Sequence, residues 1–185
     1  MVNKITRWLY LEPLLFNEDW IHLSEISKKL GKNHSVVRQY LNEFEKQGFI
    51  KKQQKGRMNM YKINSDYPLI LDILVLVEKE KLISKEKNLI IKEVAGFLHK
   101  NLPRESKAVI FGSSVDNSKR ANDIDILISG KDMGTKIKEL ERNINKKVHL
   151  IEVRNLNEVT EALKEEIKKT HLIVQGSEEV IKWLI

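Results

Sequence analysis

Two aspartates, Asp123 and Asp125, alternate with isoleucines in the apolar segment 122–128. Successive side chains of a strand point to opposite faces, so this pattern places both carboxylates on one face and the isoleucines in a core. Neighbouring carboxylates repel each other and gain from a bound divalent cation, and ligands made only of oxygen suit Mg2+ or Mn2+. The segment therefore predicts a metal site.

A Gly-Ser pair, Gly112 and Ser113, ends a second apolar run, 108–111, upstream of the aspartates. The backbone amides of a glycine turn and a serine hydroxyl can hold phosphate oxygens. An Asp-x-Asp pattern alone also fits a solvated strand edge. Its combination with the Gly-Ser turn favours a joint phosphate and metal site.

This succession of strand, Gly-Ser, loop and Asp-x-Asp resembles the nucleotidyltransferases of the polymerase beta superfamily, in particular the minimal nucleotidyltransferases. The resemblance implies that Gly112 and Ser113 bind the triphosphate of a nucleoside triphosphate. It also implies that Asp123 and Asp125 are catalytic residues that hold Mg2+ or Mn2+. The loop departs from the family, because residues 115–117 are Val-Asp-Asn where a further glycine is usual.

A second departure concerns the third carboxylate of that family, which normally follows on a later strand. In the segment 147–153, Lys-Val-His-Leu-Ile-Glu-Val, His149 takes this position. Glu152 is the nearest acid, but its parity on the strand is opposite to that of His149. We therefore expect Glu152 to face away from the aspartates unless a bulge intervenes.

The chain of 185 residues is long enough for two small domains, and its basic charge is concentrated in the first third. Residues 1–65 contain 12 Lys and Arg against 6 Asp and Glu, so any binding of a polyanion is expected there. The absence of cysteine excludes disulfides and thiolate metal sites. No secretory signal pattern or membrane-spanning run is apparent, which predicts a cytoplasmic protein without membrane contact.

Residues 1–65 predict three helices and then two strands. The first helix covers 4–15, with Pro13 near its end. The second runs from an N-cap at Ser24 to Gly31, and the third runs from a cap at Ser35 to Gly48. Strands over 49–54 and 58–63 enclose a glycine turn at 55–57.

This segment resembles a winged helix-turn-helix domain of transcription regulators. The resemblance implies that the third helix enters the major groove of double-stranded DNA through His34, Ser35, Arg38 and Gln39. It also implies that the basic hairpin contacts phosphates through Lys51, Lys52, Lys55 and Arg57. The alternative interpretation is a winged helix that serves only as a protein-protein module.

The predicted fold class is therefore α+β, with a winged helix-turn-helix over 1–65, a connecting helix over 66–84 and a nucleotidyltransferase-like domain over 85–185. The last domain is expected to hold a mixed sheet of three strands flanked by helices. The apolar stripe of the connecting helix predicts packing within the chain or pairing with a second copy in a homodimer. His171 is interpreted as a structural or solvated histidine.

Two functional hypotheses remain open. In the first, the protein is a DNA-binding regulator whose nucleotidyltransferase-like domain binds nucleotide and metal in a degenerate site. In the second, it is an active nucleotidyltransferase that transfers a nucleoside monophosphate to a small acceptor or to a partner protein, such as the toxin of an antitoxin-like system. His149 at the third-carboxylate position favours the first hypothesis, because a metal held for phosphoryl-type transfer depends on negative oxygen ligands.

Overall fold

The structure is a computed structural model that describes residues 6–17, 19–117, 121–130 and 134–185. It has an α+β fold, which confirms the predicted fold class at that level. The chain divides into two compact units, Met1–Glu80 and Lys81–Ile185. Within the described ranges, no helix combines the length and apolar character that crossing a membrane requires.

In the described ranges, the first unit contains two complete α-helices and most of a third beside a small antiparallel sheet, in which the strand Met58–Ile63 lies between Ile21–His22 and Ile50–Lys55. Its core is formed by apolar side chains of the two complete helices and of the middle strand, among them Ile26, Leu41 and Tyr61, all fully buried. The elements are a 3-10 helix at Arg7–Leu14, β1 at Ile21–His22, α1 at Leu23–Leu30, α2 at His34–Lys46, β2 at Ile50–Lys55 and β3 at Met58–Ile63.

Three details of this unit differ from the sequence-based expectation. The first helix is a 3-10 helix at Arg7–Leu14 with Pro13 inside it, shorter than the predicted 4–15 and of a different type. Helix α1 is capped by His22, whose Nδ1 accepts a hydrogen bond from the Ser24 amide, so Ser24 is not the cap. Helix α2 begins at His34, and Ser35 therefore lies within its first turn.

Glycines end α1 and form the turn of the β2–β3 hairpin, as expected. Gly31 has a φ of 60° at the C-cap of α1, and Gly56 has a φ of 62° between β2 and β3. Both values lie in the left-handed region that glycine enters at little cost. Neither β2 nor β3 departs from its predicted position by more than a residue at either end.

The connecting helix is present as α3, Ile70–Lys85, and the change from the first unit to the second falls within it. The next helix, α4, covers Leu89–Asn101 and is separated from α3 by a short break. Asn88 is the N-cap of α4, because its side chain accepts a hydrogen bond from the Ile90 amide.

The second unit is built on a mixed four-stranded sheet with the strand order Lys147–Val153, Asp123–Ser129, Lys107–Phe111 and His171–Gln175. The first two strands of this order are parallel, and the other pairs are antiparallel. Helix α4 and the helix Gly134–Ile144 cover one face, where Ile124, Ile126 and Ile128 are fully buried. The elements after α4 are β4 at Lys107–Phe111, α5 at Ser113–Asn117, β5 at Asp123–Ser129, α6 at Gly134–Ile144, β6 at Lys147–Val153, a 3-10 helix at Leu156–Glu158, α7 at Glu161–Lys169, β7 at His171–Gln175 and α8 at Ser177–Leu184.

The expectation of three strands in this sheet was wrong, because the short segment His171–Gln175 forms a fourth strand, β7. It pairs with β4, a partner far away in sequence, and local patterns carry no signal for such pairing. His171 is buried, and its Nδ1 lies 2.6 Å from the carbonyl oxygen of Ile167, which confirms its structural character.

Candidate functional sites

Asp123 and Asp125 lie at the start of β5, where the strand emerges from the core of the second unit. Their isoleucine neighbours enter the core under α4 and α6, so the two aspartates share the opposite face, as the alternation predicted. Asp123 is exposed, whereas the side chain of Asp125 is only 21% exposed. Asp125 is therefore the more confined of the two carboxylates.

Gly112 provides the space into which the Asp125 carboxylate fits. Register pairs Phe111 with Asp125, so the residue after β4 lies beside this carboxylate. A Cβ built on Gly112 would lie 2.7 Å from Asp125 Oδ2, closer than real contacts allow. Its φ of 71° also favours glycine. Both backbone conformation and contact therefore require glycine here, next to the exposed Ser113 at the start of α5.

His149 lies directly beside Asp125, because the parallel register of β5 and β6 pairs the two residues. Its Nδ1 is 3.0 Å from Asp125 Oδ1, a hydrogen-bonding distance. The His149 side chain is 62% exposed. Asp125 thus has a glycine α-carbon on one side and an imidazole on the other.

Glu152 does not join the two aspartates at this site. It pairs with Ile128 in an unbroken register, so it lies on the face opposite to His149, as its parity predicted. The donors beside β5 are consequently two carboxylates and an imidazole, whereas Mg2+ prefers oxygen ligands alone. Among the residues that the structure describes, no group of three acidic, histidine or cysteine side chains converges as a metal ion would require.

The four residues of the predicted DNA-reading helix, His34, Ser35, Arg38 and Gln39, are all exposed on the first two turns of α2. Asn33 precedes the helix without a capping hydrogen bond from its side chain. The start of α2 therefore presents polar side chains that are free to meet a ligand. Whether they read DNA stays a prediction.

Four basic residues of the β2–β3 hairpin, Lys51, Lys52, Lys55 and Arg57, are exposed, but they differ in their local partners. Lys51 forms an ion pair with Asp66, and Lys52 Nζ lies 3.5 Å from Glu45 Oε2. The Lys51 ammonium, mainly through its hydrogen bond, holds the pKa of the Asp66 carboxyl below its ordinary value. Sequence inspection missed both pairs, because the acids lie on other elements of the unit.

Lys55 and Arg57 flank Gly56 at the tip of the hairpin, away from those acids. No ion pair holds either side chain within the described part of the first unit. Unlike Lys51 and Lys52, these two residues at the tip therefore have no carboxylate partner among the described residues to offset their charge.

Comparison with known proteins adds no family assignment. None of the protein-family models matches the chain. A search of curated proteins found no match either. Functional inference for this chain therefore depends on its own residues and their geometry.

Proposed function

We propose that this protein is a DNA-binding regulator whose second unit is a nucleotidyltransferase-like domain with a degenerate site. The observation that carries the degenerate site is the 3.0 Å contact between His149 Nδ1 and Asp125 Oδ1. If the resemblance to nucleotidyltransferases holds, this imidazole stands in for the third metal-binding carboxylate. A neutral imidazole offers a softer donor than hard Mg2+ prefers, and a protonated one would add positive charge beside the metal.

The order of elements in the first unit supports a winged helix-turn-helix. A glycine joins α1 to α2, and the basic hairpin follows. In this interpretation α2 enters the major groove, where Arg38 and Gln39 have the side-chain chemistry to contact guanine and adenine edges. Lys55 and Arg57 would contact phosphates at the tip of the hairpin, and Lys51 and Lys52 would first have to leave their acidic partners.

Binding of double-stranded DNA is tested by fluorescence anisotropy with the full chain over a range of salt concentrations. The Lys55→Ala/Arg57→Ala variant should bind more weakly to all sequences. Its slope of log affinity against log salt should be flatter by about 0.9 for each lost phosphate contact. Arg38→Ala should mainly reduce the preference for one sequence over another.

The matched control is Lys28→Ala/Lys46→Ala, which removes the same charge from exposed positions elsewhere in the first unit. An equal loss of affinity in this control would mean that net charge alone, and not the hairpin, drives binding. If the unmodified chain fails to bind duplex DNA even at low salt, the first unit is a protein-interaction module and the regulator assignment is wrong.

The second unit is expected to bind a nucleoside triphosphate together with a divalent cation, Mg2+ or Mn2+, at Gly112, Ser113, Asp123 and Asp125. The carboxylates repel a bare triphosphate, and a bridging cation reverses that repulsion. Thermal stability should therefore rise only when both ligands are present, since both would bind the folded state. The rise should vanish in Asp123→Asn/Asp125→Asn, and a persistent rise would place the nucleotide elsewhere.

One observation favours a second candidate, an active nucleotidyltransferase that modifies a partner protein, such as a toxin, or a small acceptor. The left-handed turn at Gly112 lies against Asp125, so the phosphate-binding turn and a metal-binding aspartate would remain adjacent. This arrangement is what a transfer reaction needs in order to position a triphosphate against its metal.

His149→Asp distinguishes the two candidates in an assay with labelled nucleoside triphosphates. A degenerate site predicts no labelling by the unmodified protein and a gain of Mg2+-dependent labelling in this variant. His99→Asp, at an exposed position on α4, is the matched control and should gain nothing. Strong labelling by the unmodified protein that is lost in Asp125→Asn would establish the active enzyme instead.

A further inference from the structure

An open pocket of about 690 Å³ lies at the end of α6 and the start of β6, within the second unit. Its lining is basic and lacks aromatic side chains. It consists of Lys138, Glu141, Arg142, Asn145, Lys146 and Lys147, which amounts to four cations against one carboxylate. The pocket is separate from the Gly112 turn, and the functions proposed above do not use it.

The single carboxylate of the pocket can offset at most one of its four cations. Glu141 Oε1 accepts a hydrogen bond from the Val148 amide at 3.0 Å, which directs it toward the backbone of β6. Lys138 and Arg142 are four residues apart on α6, so two like charges share one face and repel each other. Neither of them, nor Lys147, forms an ion pair with any residue in the described ranges.

Stabilisation of the end of α6 explains only part of this cluster. The helix ends with Asn145 in the left-handed conformation, φ 51°, and the Lys146 amide donates to the Glu141 carbonyl. Basic residues in the last turn of a helix stabilise it, because their positive charge attracts the carbonyl oxygens that have no partner there. The Lys146 ammonium in addition donates a hydrogen bond to the Ala121 carbonyl. That effect fades within one turn, so it does not account for Lys138, which lies further back on the helix.

We propose that this pocket binds the phosphate groups of a single-stranded nucleic acid. Its volume is within the range of sites that hold nucleotide-sized ligands and is larger than one inorganic phosphate needs. The pocket is small and open, so a flexible single strand can bend its backbone into it, whereas a duplex, with a persistence length of about 50 nm, is too stiff to do so. Since no ring is available for stacking, the contacts are made to the backbone and are independent of sequence.

The pocket lies next to the carboxylate site of Asp123 and Asp125. Lys147 pairs with Asp123 in the register of β5 and β6, so the pocket borders the exposed aspartate of the carboxylate site. A nucleic-acid strand that is bound by Lys138 and Arg142 would therefore have one end near Asp123. The proposed ligand is inferred from the charges, volume and open shape of the pocket, and it does not depend on nucleotidyl transfer.

The test uses the full chain with Lys55→Ala/Arg57→Ala in every protein, so that the hairpin of the first unit contributes little. Fluorescence anisotropy follows a labelled oligonucleotide of about eight nucleotides, as RNA and as DNA of one sequence. Adding Lys138→Ala/Arg142→Ala should weaken binding of both by about tenfold or more, since hydrogen bonds to charged groups are lost. The salt slope should fall by about 0.7 for each lost contact.

The control for this experiment is Lys92→Ala/Lys100→Ala, which removes two exposed cations from α4 of the same unit. An equal loss of affinity in this control variant would show that diffuse charge, and not the pocket, attracts the oligonucleotide. Unchanged binding after Lys138→Ala/Arg142→Ala would also overturn the proposal. Inorganic tripolyphosphate serves as competitor, and displacement at concentrations comparable to those of the oligonucleotide would identify a free polyphosphate as the ligand and refute the assignment to nucleic acid.

Discussion

Replacing Gly112 with alanine tests the contact on which the carboxylate site is built. The new Cβ would lie 2.7 Å from Asp125 Oδ2, and the three atoms nearest to it all belong to the Asp125 side chain. The carboxylate would have to move away, and its 3.0 Å contact with His149 would change with it. The substitution therefore perturbs both the backbone and the site through one added methyl group.

Two costs contribute to the expected loss of stability. A residue with a Cβ at a φ of 71° costs about 1–2 kcal/mol relative to glycine. Displacing a confined neighbour adds about 1–3 kcal/mol, as overpacking typically does. The total expected decrease in the free energy of unfolding is thus about 2–5 kcal/mol. Only the second cost depends on the Asp125 side chain.

A double-mutant cycle separates these two costs. Gly112→Ala is measured in the unmodified chain and again in Asp125→Ala, where the space beside Gly112 is open. In the second background the penalty should fall to about 1–2 kcal/mol, the backbone cost alone. Urea denaturation is followed by the fluorescence of Trp183, which lies in the second unit, with Trp8→Phe and Trp20→Phe in all variants.

An independent comparison uses Gly31, whose φ of 60° is similar but where a Cβ would have no atom within 4 Å. Gly31→Ala, measured in a chain that keeps Trp8 and Trp20 as reporters of the first unit, should show the backbone cost without the steric one. If Gly112→Ala has the same penalty with and without the Asp125 side chain, the carboxylate does not lie against the glycine and the description of the site is wrong.

Further predictions concern charge and packing. Lys51→Ala should raise the pKa of Asp66 toward its ordinary value, because the ammonium that lowers it is removed, as an NMR pH titration would record. Since a lowered folded-state pKa adds stability that is lost as pH falls through it, the variant should also show a weaker decrease of stability in acid, measured by urea denaturation. Leu140→Ala should destabilise the second unit by about 2–5 kcal/mol in the same urea assay, because this side chain is fully buried under the sheet. A pKa of Asp66 that does not move, or a loss well below about 1 kcal/mol at Leu140, would contradict the corresponding contact.

Local sequence signals predicted the elements that carry their own pattern. The alternation around Asp123 and Asp125 placed β5 and its two faces, because a strand with one buried face shows a period of two. Gly31 and Gly56 marked the end of α1 and the turn of the hairpin, because a positive φ favours glycine. The parity of Glu152 predicted its face for the same reason as the aspartates.

Signals of the same kind failed where neighbours outside the segment decide the conformation. His22 belongs to β1, which pairs with β3, and this pairing places the start of α1 one residue before Ser24. The apolar run of β7, Leu172 to Val174, has no alternation of apolar and polar residues, and its position is set by pairing with β4. Propensity is a weak guide when such tertiary contacts compete with it.

The sequence by itself determined the α+β character, the paired aspartates after a Gly-Ser turn, and the concentration of basic charge before residue 65. Only the tertiary structure decided that the Asp125 carboxylate fills the space of a Gly112 side chain and that His149 contacts it. It also brought Lys138 and Arg142 of α6 together with Lys147 of β6 around one pocket. The physical reason is that composition and periodicity are properties of one segment, whereas distances between side chains depend on the register and packing of segments far apart in the chain.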